Sequence, residues 1–323
     1  MPDGPGVAEE VIGADEAAAT EQFIAFLKSA TLARHRSGPR RRFNQGRATA
    51  CVNADFVVPD NLPPERRVGL FAAPRRYSAV IRFANASSLS DRERDVRGMA
   101  IRVLGVEGRN LTPGERAHDF VLNSHPVMMV ADTRSFLDLL QANEAGGVRR
   151  ALYFLTHPRA ALTARASRTN PTCHLDLSYW STTPYLFGAG RAVKYIVRPA
   201  GTDRSPAPQP LTDTYLTDAI RARLAASAAA FDFLIQFQTD GRRMPIEDAS
   251  IEWKEEDSPY VPVARIHIPP QPADNAALAA ECERMAFNPW QCLEEHRPLG
   301  NMNRARRAIY AAMAAFRAET API

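Results

Sequence analysis

Near the C-terminus the stretch "NMNRARRAIYAAMAAFR", residues 301–317, reads as a basic amphipathic helix. Its spacing sets Arg306 and Tyr310 at i and i+4, so a guanidinium and a phenol share one helix face. A phenol oxygen with a cation one turn away is a candidate anionic ligand. Taken alone, the same pattern describes a surface helix with a half-buried tyrosine.

The usual signatures of other chemistries are absent. The chain has no G-x-S-x-G, P-loop or H-E-x-x-H, and no G-x-G-x-x-G after a strand. Its seven histidines, taken singly, read as packing or surface residues. The four cysteines, Cys51, Cys173, Cys282 and Cys292, form no C-x-x-C pair and no zinc-finger spacing, so reduced thiols in a cytoplasmic protein are expected. The densest basic run, "RHRSGPRRRF" at 34–43, could touch phosphate, acidic lipid or the anionic groups of a small ligand, and otherwise is a solvated arm. A net charge of +4, with 40 basic against 36 acidic residues, does not argue for nucleic acid. No apolar run is long enough to span a membrane. The acidic, Gly/Pro-rich N-terminus is not a secretory signal.

The elements that must position such residues follow from periodicity. Residues 1–13 are expected to be disordered, and 15–36 to form an amphipathic helix. β-rich stretches at 50–58, 77–85, 98–106 and 118–124 are separated by Gly/Pro/Asp turns, as in an antiparallel meander or barrel. A helix at 133–145 and two more within 147–165 follow. Further strands are expected at 193–199, 231–238, 249–255 and 263–269, with a helix over 217–232 and a helical tail after Pro270. The predicted fold class is α+β: one domain, 14–323, built on an antiparallel barrel with surrounding helices and a helical C-terminal cap. At 323 residues, 45% hydrophobic and 24% charged, the composition is ordinary for a globular protein.

Four segments, in order, resemble the heme catalases, and more closely the short catalase-like heme-binding proteins. "VIRFANAS" at 80–87 is similar to a strand of that family. "RDVRGMAIRV" at 94–103 resembles its R-D-x-R-G-[FM]-A run. "HDFVLNSHPVMMVADTRSF" at 118–136 resembles the segment that carries the distal asparagine, and "FNPWQCLEEHRPLGNMNRARRAIY" at 287–310 the proximal region. The resemblance covers roughly 35–317 and implies a catalase-type barrel with heme b as cofactor. It makes Tyr310 the axial ligand of the iron in an R-x-x-x-Y motif with Arg306. The alanines around Tyr310 would let a flat macrocycle approach. It further makes Arg42, Arg82 and Arg317 the partners of the heme propionates, since arginine's planar fork suits carboxylates. Asn123 is implied as the distal asparagine and Phe136 as the aromatic residue over the heme. Met128 stands where the family has a second phenylalanine.

The sequence departs from catalase on the distal side. Gln45 stands where the family has its catalytic histidine, and Ala84 where it has the supporting serine. Glutamine offers hydrogen bonds but no proton near neutral pH. His125, two residues after Asn123, is expected to structure the turn before Pro126. An efficient catalase is therefore not expected. The leading expectation is a heme-dependent oxidoreductase, isomerase or lyase with a Tyr-ligated ferric heme. Its substrate would be a small molecule, an organic hydroperoxide or another oxygenated or N–O compound. The alternatives are a weak catalase or peroxidase, and a non-catalytic heme-binding protein. A homodimer is expected rather than the interlocked tetramer of the long catalases, with no nicotinamide site.

Overall fold

The strand-forming stretches set an apolar residue at every second position, and these residues meet in one interior. A computed structural model describes residues 5–202, 204–206 and 208–319. On β1 (Arg47–Val58), Val52, Ala54, Phe56 and Val58 point inward. Ala79, Ile81 and Phe83 do so on β2 (Arg75–Asn85), Met99, Ile101 and Val103 on β3 (Arg97–Leu104), and Phe120 and Leu122 on β4 (Ala117–Asn123). The second half continues with β5 (Tyr179–Trp180), β6 (Tyr185–Leu186), β7 (Ala192–Pro199), β8 (Ala229–Phe237) and β9 (Val261–Ile268).

All pairings are antiparallel, in the order β5-β4-β3-β2-β1-β9-β8-β7-β6. A further pairing of β5 with β7 closes eight of the strands into a barrel, and β6 flanks β7. Closure removes the exposed edges that an open sheet would present. Aromatic rings fill the lumen: Phe120 packs on Phe233 with centroids 4.7 Å apart, and Phe56 on Phe233 at 5.2 Å. The barrel interior is thus a packed core, and any site must lie outside it.

Helices cover the outer faces. These are α1 (Glu16–Arg34), α2 (Thr133–Ala145), α3 (Gly147–Thr156), α4 (Pro158–Ser167), α5 (Tyr215–Ala226), α6 (Ala276–Arg284) and α7 (Asn301–Ala318). Asp132 caps α2 by accepting from the Ser135 amide at 2.8 Å. Phe23 and Leu27 of α1, Leu137 of α2 and Ile309, Met313 and Phe316 of α7 form a second apolar cluster.

Several expectations need correction. Residues 249–255 form no strand. Their backbone bonds to another loop instead, with the Ala249 amide donating to Ala131 O and the Met128 amide to Ala249 O, both at 2.9 Å. The helix expected over 217–232 stops at Ala226, and β8 begins at Ala229. Cys51 on β1 and Cys282 on α6 form a disulfide, where free thiols were expected; Cys173 and Cys292 are free and buried. Residues 1–4, part of the stretch read as disordered, lie outside the described residues. Residues 5–13 lie against the C-terminal half: Glu10 pairs with Arg297 at 2.8 Å and with Arg304 at 2.6 Å. Among the described residues, no helix is long and apolar enough to cross a membrane.

Candidate functional site

The outward-facing residues of β2, β3 and β4 build one wall of a large cavity. Antiparallel register aligns Ala84 with Gly98 and Gly98 with Asn123 in one row, and Arg82 with Ala100 and Ala100 with Val121 in the next. Helices α7 and α2 supply the opposite side. The cavity measures about 1000 Å³, the upper end of the range for small-molecule pockets. All nine residues singled out from the sequence line it: Arg42, Gln45, Arg82, Asn123, Met128, Phe136, Arg306, Tyr310 and Arg317.

On the strand wall, Gln45 adopts a left-handed backbone with φ of 56°. Its amide N–H donates to Ala86 O at 2.7 Å, and its carbonyl accepts from Arg82 Nη2 at 2.8 Å. Its side chain lies over Gly98, and its Nε2 donates to Asn123 Oδ1 at 3.5 Å. A Cβ at position 98 would run into that amide, so the Gln45 side chain could not rest there unless it shifted. Ala84 sits directly across the strands from Gly98. The rest of the "RDVRG" run is structural. Asp95 accepts from the amides of Ser87 and Ser88 at 2.7 and 2.8 Å. Arg97 is fully buried and donates to Asn85 and to Glu93 O.

At one end of the cavity three arginines gather. Arg82, 1% exposed, donates to Glu283 Oε1 at 2.9 Å, and Arg42 to Glu283 Oε2 at 2.5 Å. Arg42 also donates to the carbonyls of Cys282 and Met285 at 3.1 and 2.7 Å, satisfying the C-terminal end of α6. Burial, with Arg82 and Arg317 alongside, pushes the Arg42 guanidinium down to about 10 even though Glu283 opposes. Burial works against ionisation of Glu283, but Arg82 and Arg42 hold its carboxyl below the ordinary value. Burial likewise lowers Arg317, with Glu283 opposing and Arg82 adding to it. Arg42, Arg82 and Arg317 thus gather around the Glu283 carboxylate, and guanidinium groups so placed suit anionic ligand groups.

On the helix wall, α7 starts at Gly300 with φ of 86°, where a Cβ would meet Ile246 O at 2.4 Å. Its buried face, including Met302, Ile309, Met313 and Phe316, fixes the rotation of the helix. Arg306, Tyr310 and Arg317 thereby all border the cavity, with Ala305 and Ala314 leaving a low surface between them. Arg306 Nη1 donates to Thr183 Oγ1 and to Asn303 Oδ1, both at 3.2 Å, which holds the guanidinium beside the first turn of the helix. Phe136 packs edge-on against Phe23, with centroids 5.5 Å apart.

Two residues of this site were not assigned to it from the sequence. Glu283 carried no signal, because its pairing with Arg42 spans 241 positions. His125, read as a turn residue, lines the cavity. Burial lowers its pKa, with Glu252 opposing. Strand parity puts 119, 121 and 123 on one outward face of β4, and His125 lies just past the end of that strand. The buried His118, His174 and His296 are not part of the lining. No group of His, Cys, Asp and Glu able to hold a metal ion occurs among the described residues.

No family model matches the chain, and no curated protein matches it in sequence. Its fold does match solved structures. A fungal catalase superposes with a TM-score of 0.69 at 18% identity over 90% of this chain. Catalase A from Saccharomyces cerevisiae gives 0.69 at 19% over 98%, and a bacterial catalase 0.65 at 16% over 98%. The chain spans about two thirds of the length of these proteins: 62%, 68% and 64%. The closed eight-stranded barrel with its surrounding helices is the catalase fold.

Proposed function

We propose that the cavity holds a heme b with Tyr310 as its axial ligand, and that the protein is an enzyme for an organic hydroperoxide or another oxygenated or N–O compound. The observation that carries this reading is the convergence on one cavity of Tyr310, the arginines Arg42, Arg82 and Arg317, and the Gln45–Asn123 pair. The residues fit the group. Arg42, Arg82 and Arg317 suit its carboxylates, and the low alanine surface of α7 suits a flat ring. Bound there, a heme would supply a redox-active Lewis acid able to cleave an O–O or N–O bond.

The chain's own residues then act as follows. Tyr310 would offer its phenol oxygen to the group, and Arg306 shares its helix face. Asn123 and Gln45 hold an oxygen of the substrate by hydrogen bonds. Neither moves a proton near neutral pH, which disfavours the two-oxygen proton shuttle of hydrogen peroxide disproportionation. Met128 and Phe136 give the pocket an apolar, adaptable lining suited to a carbon-bearing substrate.

His125 favours a second reading, a slow peroxidase, because it is an ionisable imidazole in the cavity wall. Incubating the heme-supplied protein with several hydroperoxides, while following the absorption spectrum and the products, separates the readings. A spectral change with a new organic product supports the first. Oxygen release from hydrogen peroxide supports a weak catalase. No change with any of them would leave a heme store or sensor. A homodimer and a cytoplasmic location remain part of the proposal.

A further inference from the structure

The α3–α4 hairpin turns an apolar face to solvent. Of the ten large apolar side chains exposed among the described residues, four lie here: Val148 (84% exposed), Leu152 (57%), Leu155 (78%) and Leu162 (69%). Val148, Leu152 and Leu155 stand at i, i+4 and i+7, one face of α3. That face is not spare core. The inner side of the hairpin is already occupied by Tyr153, Phe154 and Ala160, packed on Val130 and Leu139.

Charge tells what this face would meet. From Ala145 to Leu175 the sequence holds five arginines, Arg149, Arg150, Arg159, Arg165 and Arg168, and no aspartate or glutamate. All five are exposed, and none makes a salt bridge among the described residues. The nearest acids on α2 are engaged elsewhere, Asp138 with Arg134 and Glu144 with Arg34. Three of these arginines, Arg150, Arg165 and Arg168, border the cavity, which leaves Arg149 and Arg159 beside the exposed leucines; apolar side chains flanked by cations with no acid in the hairpin are the pattern of an interfacial helix, with its apolar side at the acyl boundary and cations at the headgroups. A second copy fits poorly, because a two-fold contact would set arginine against arginine. Nucleic acid would use the arginines but not the leucines. The hairpin also borders the cavity: Arg150, Phe154, Ala161, Ala164, Arg165 and Arg168 contribute to its lining.

We propose that the outer face of the α3–α4 hairpin docks on an anionic lipid bilayer. The docking does not depend on what fills the cavity, so it stands or fails apart from the heme reading.

The test is flotation of the full chain with vesicles of phosphatidylcholine alone, and with an equal mixture of phosphatidylcholine and phosphatidylserine, at low and high salt. The protein should float with the mixed vesicles, leave them at high salt and ignore neutral ones. Arg149→Gln and Arg159→Gln should each weaken binding about fivefold. Leu155→Asp with Leu162→Asp should weaken it at least tenfold, about the loss of one buried leucine contact, with the circular dichroism and thermal melt of the wild type. Three outcomes would overturn the proposal. One is no binding to either vesicle. Another is binding that the leucine variants leave unmoved, which would mark a purely electrostatic, nucleic-acid-like surface. The last is a concentration-dependent dimer that those variants dissolve, without vesicle binding.

Discussion

The two walls of the cavity differ in what they bring to chemistry. The helix wall carries the full set that the catalase resemblance implies, Arg306, Tyr310 and Arg317, on one side of α7. On the strand wall the asparagine remains at Asn123, but the row beside it reads Ala84 and Gly98, with Gln45 above. On the proposed reading one wall would hold a heme and the other would orient a substrate, with Gln45 in place of a distal histidine and His125 as the one imidazole lining the cavity among the described residues. Binding and acid/base work would then be separable, and each could be altered without rebuilding the other.

The largest expected effect is on the helix wall. Tyr310→Phe removes one oxygen and leaves the buried face of α7 intact. It should abolish or severely weaken heme binding in an absorption titration while the circular dichroism stays unchanged. Next comes the strand wall. Gln45→His should raise hydrogen peroxide disproportionation, towards the factor of about 10² to 10⁴ that a positioned acid/base typically supplies. Histidine tolerates the left-handed backbone that Gln45 adopts, and Gly98 leaves space for a ring. Adding Ala84→Ser should raise the rate further by steadying the imidazole. Wild-type turnover already as fast as an ordinary catalase would break the comparison, since another group would then be supplying the proton.

Smaller effects follow. Arg317→Ala removes one charge-assisted contact to an anionic ligand and should weaken heme binding about tenfold or more. It should do so without the loss of axial ligation expected of Tyr310→Phe, and titration with spectral assignment tells the two apart. His125→Ala should lower whatever peroxide turnover the wild type retains and leave heme affinity unchanged. Equal turnover would return His125 to the turn role first expected of it.

A separate effect, on stability and not on the site, lies around the barrel, away from both walls. Burial lowers His118 well below its ordinary value, His174 to about 3, with the Arg97 charge adding to it, and His296 to about 4. The unfolded chain takes up these protons near ~6.5 and the folded chain resists them. Their stabilising contribution is therefore present above that value and lost as pH falls towards about 4 and about 3. Each histidine should cost up to about 1.4 kcal/mol per pH unit across its window. Denaturant melts between neutral and acidic pH measure this, and His296→Gln should flatten the slope.

The barrel was legible in the sequence because Val52, Phe56, Ile81, Phe83, Ile101 and Phe233 keep a period of two. Its closure was not, because β5 and β6 are two residues each and carry no period. The stretch 249–255 looked like a strand because Ile251 and Trp253 alternate with charged residues. Trp253 is buried by other contacts, beneath Lys194, with its carbonyl accepting from Gln236 Nε2 at 2.9 Å. The site was legible where it rides on a motif, as Arg306 and Tyr310 do on one helix face. Partners brought together only by folding left no local trace, as with Cys51 and Cys282, 231 residues apart, and with Glu283.

The central claim is that α7 presents Tyr310 to a heme iron. The direct measurement is the absorption spectrum of wild type and Tyr310→Phe, each purified with heme supplied. The wild type should show a Soret band with the charge-transfer pattern of a ferric phenolate, and the variant should lack that pattern. A wild type that takes up no heme, or a variant that keeps heme with an unchanged charge-transfer spectrum, would contradict the account.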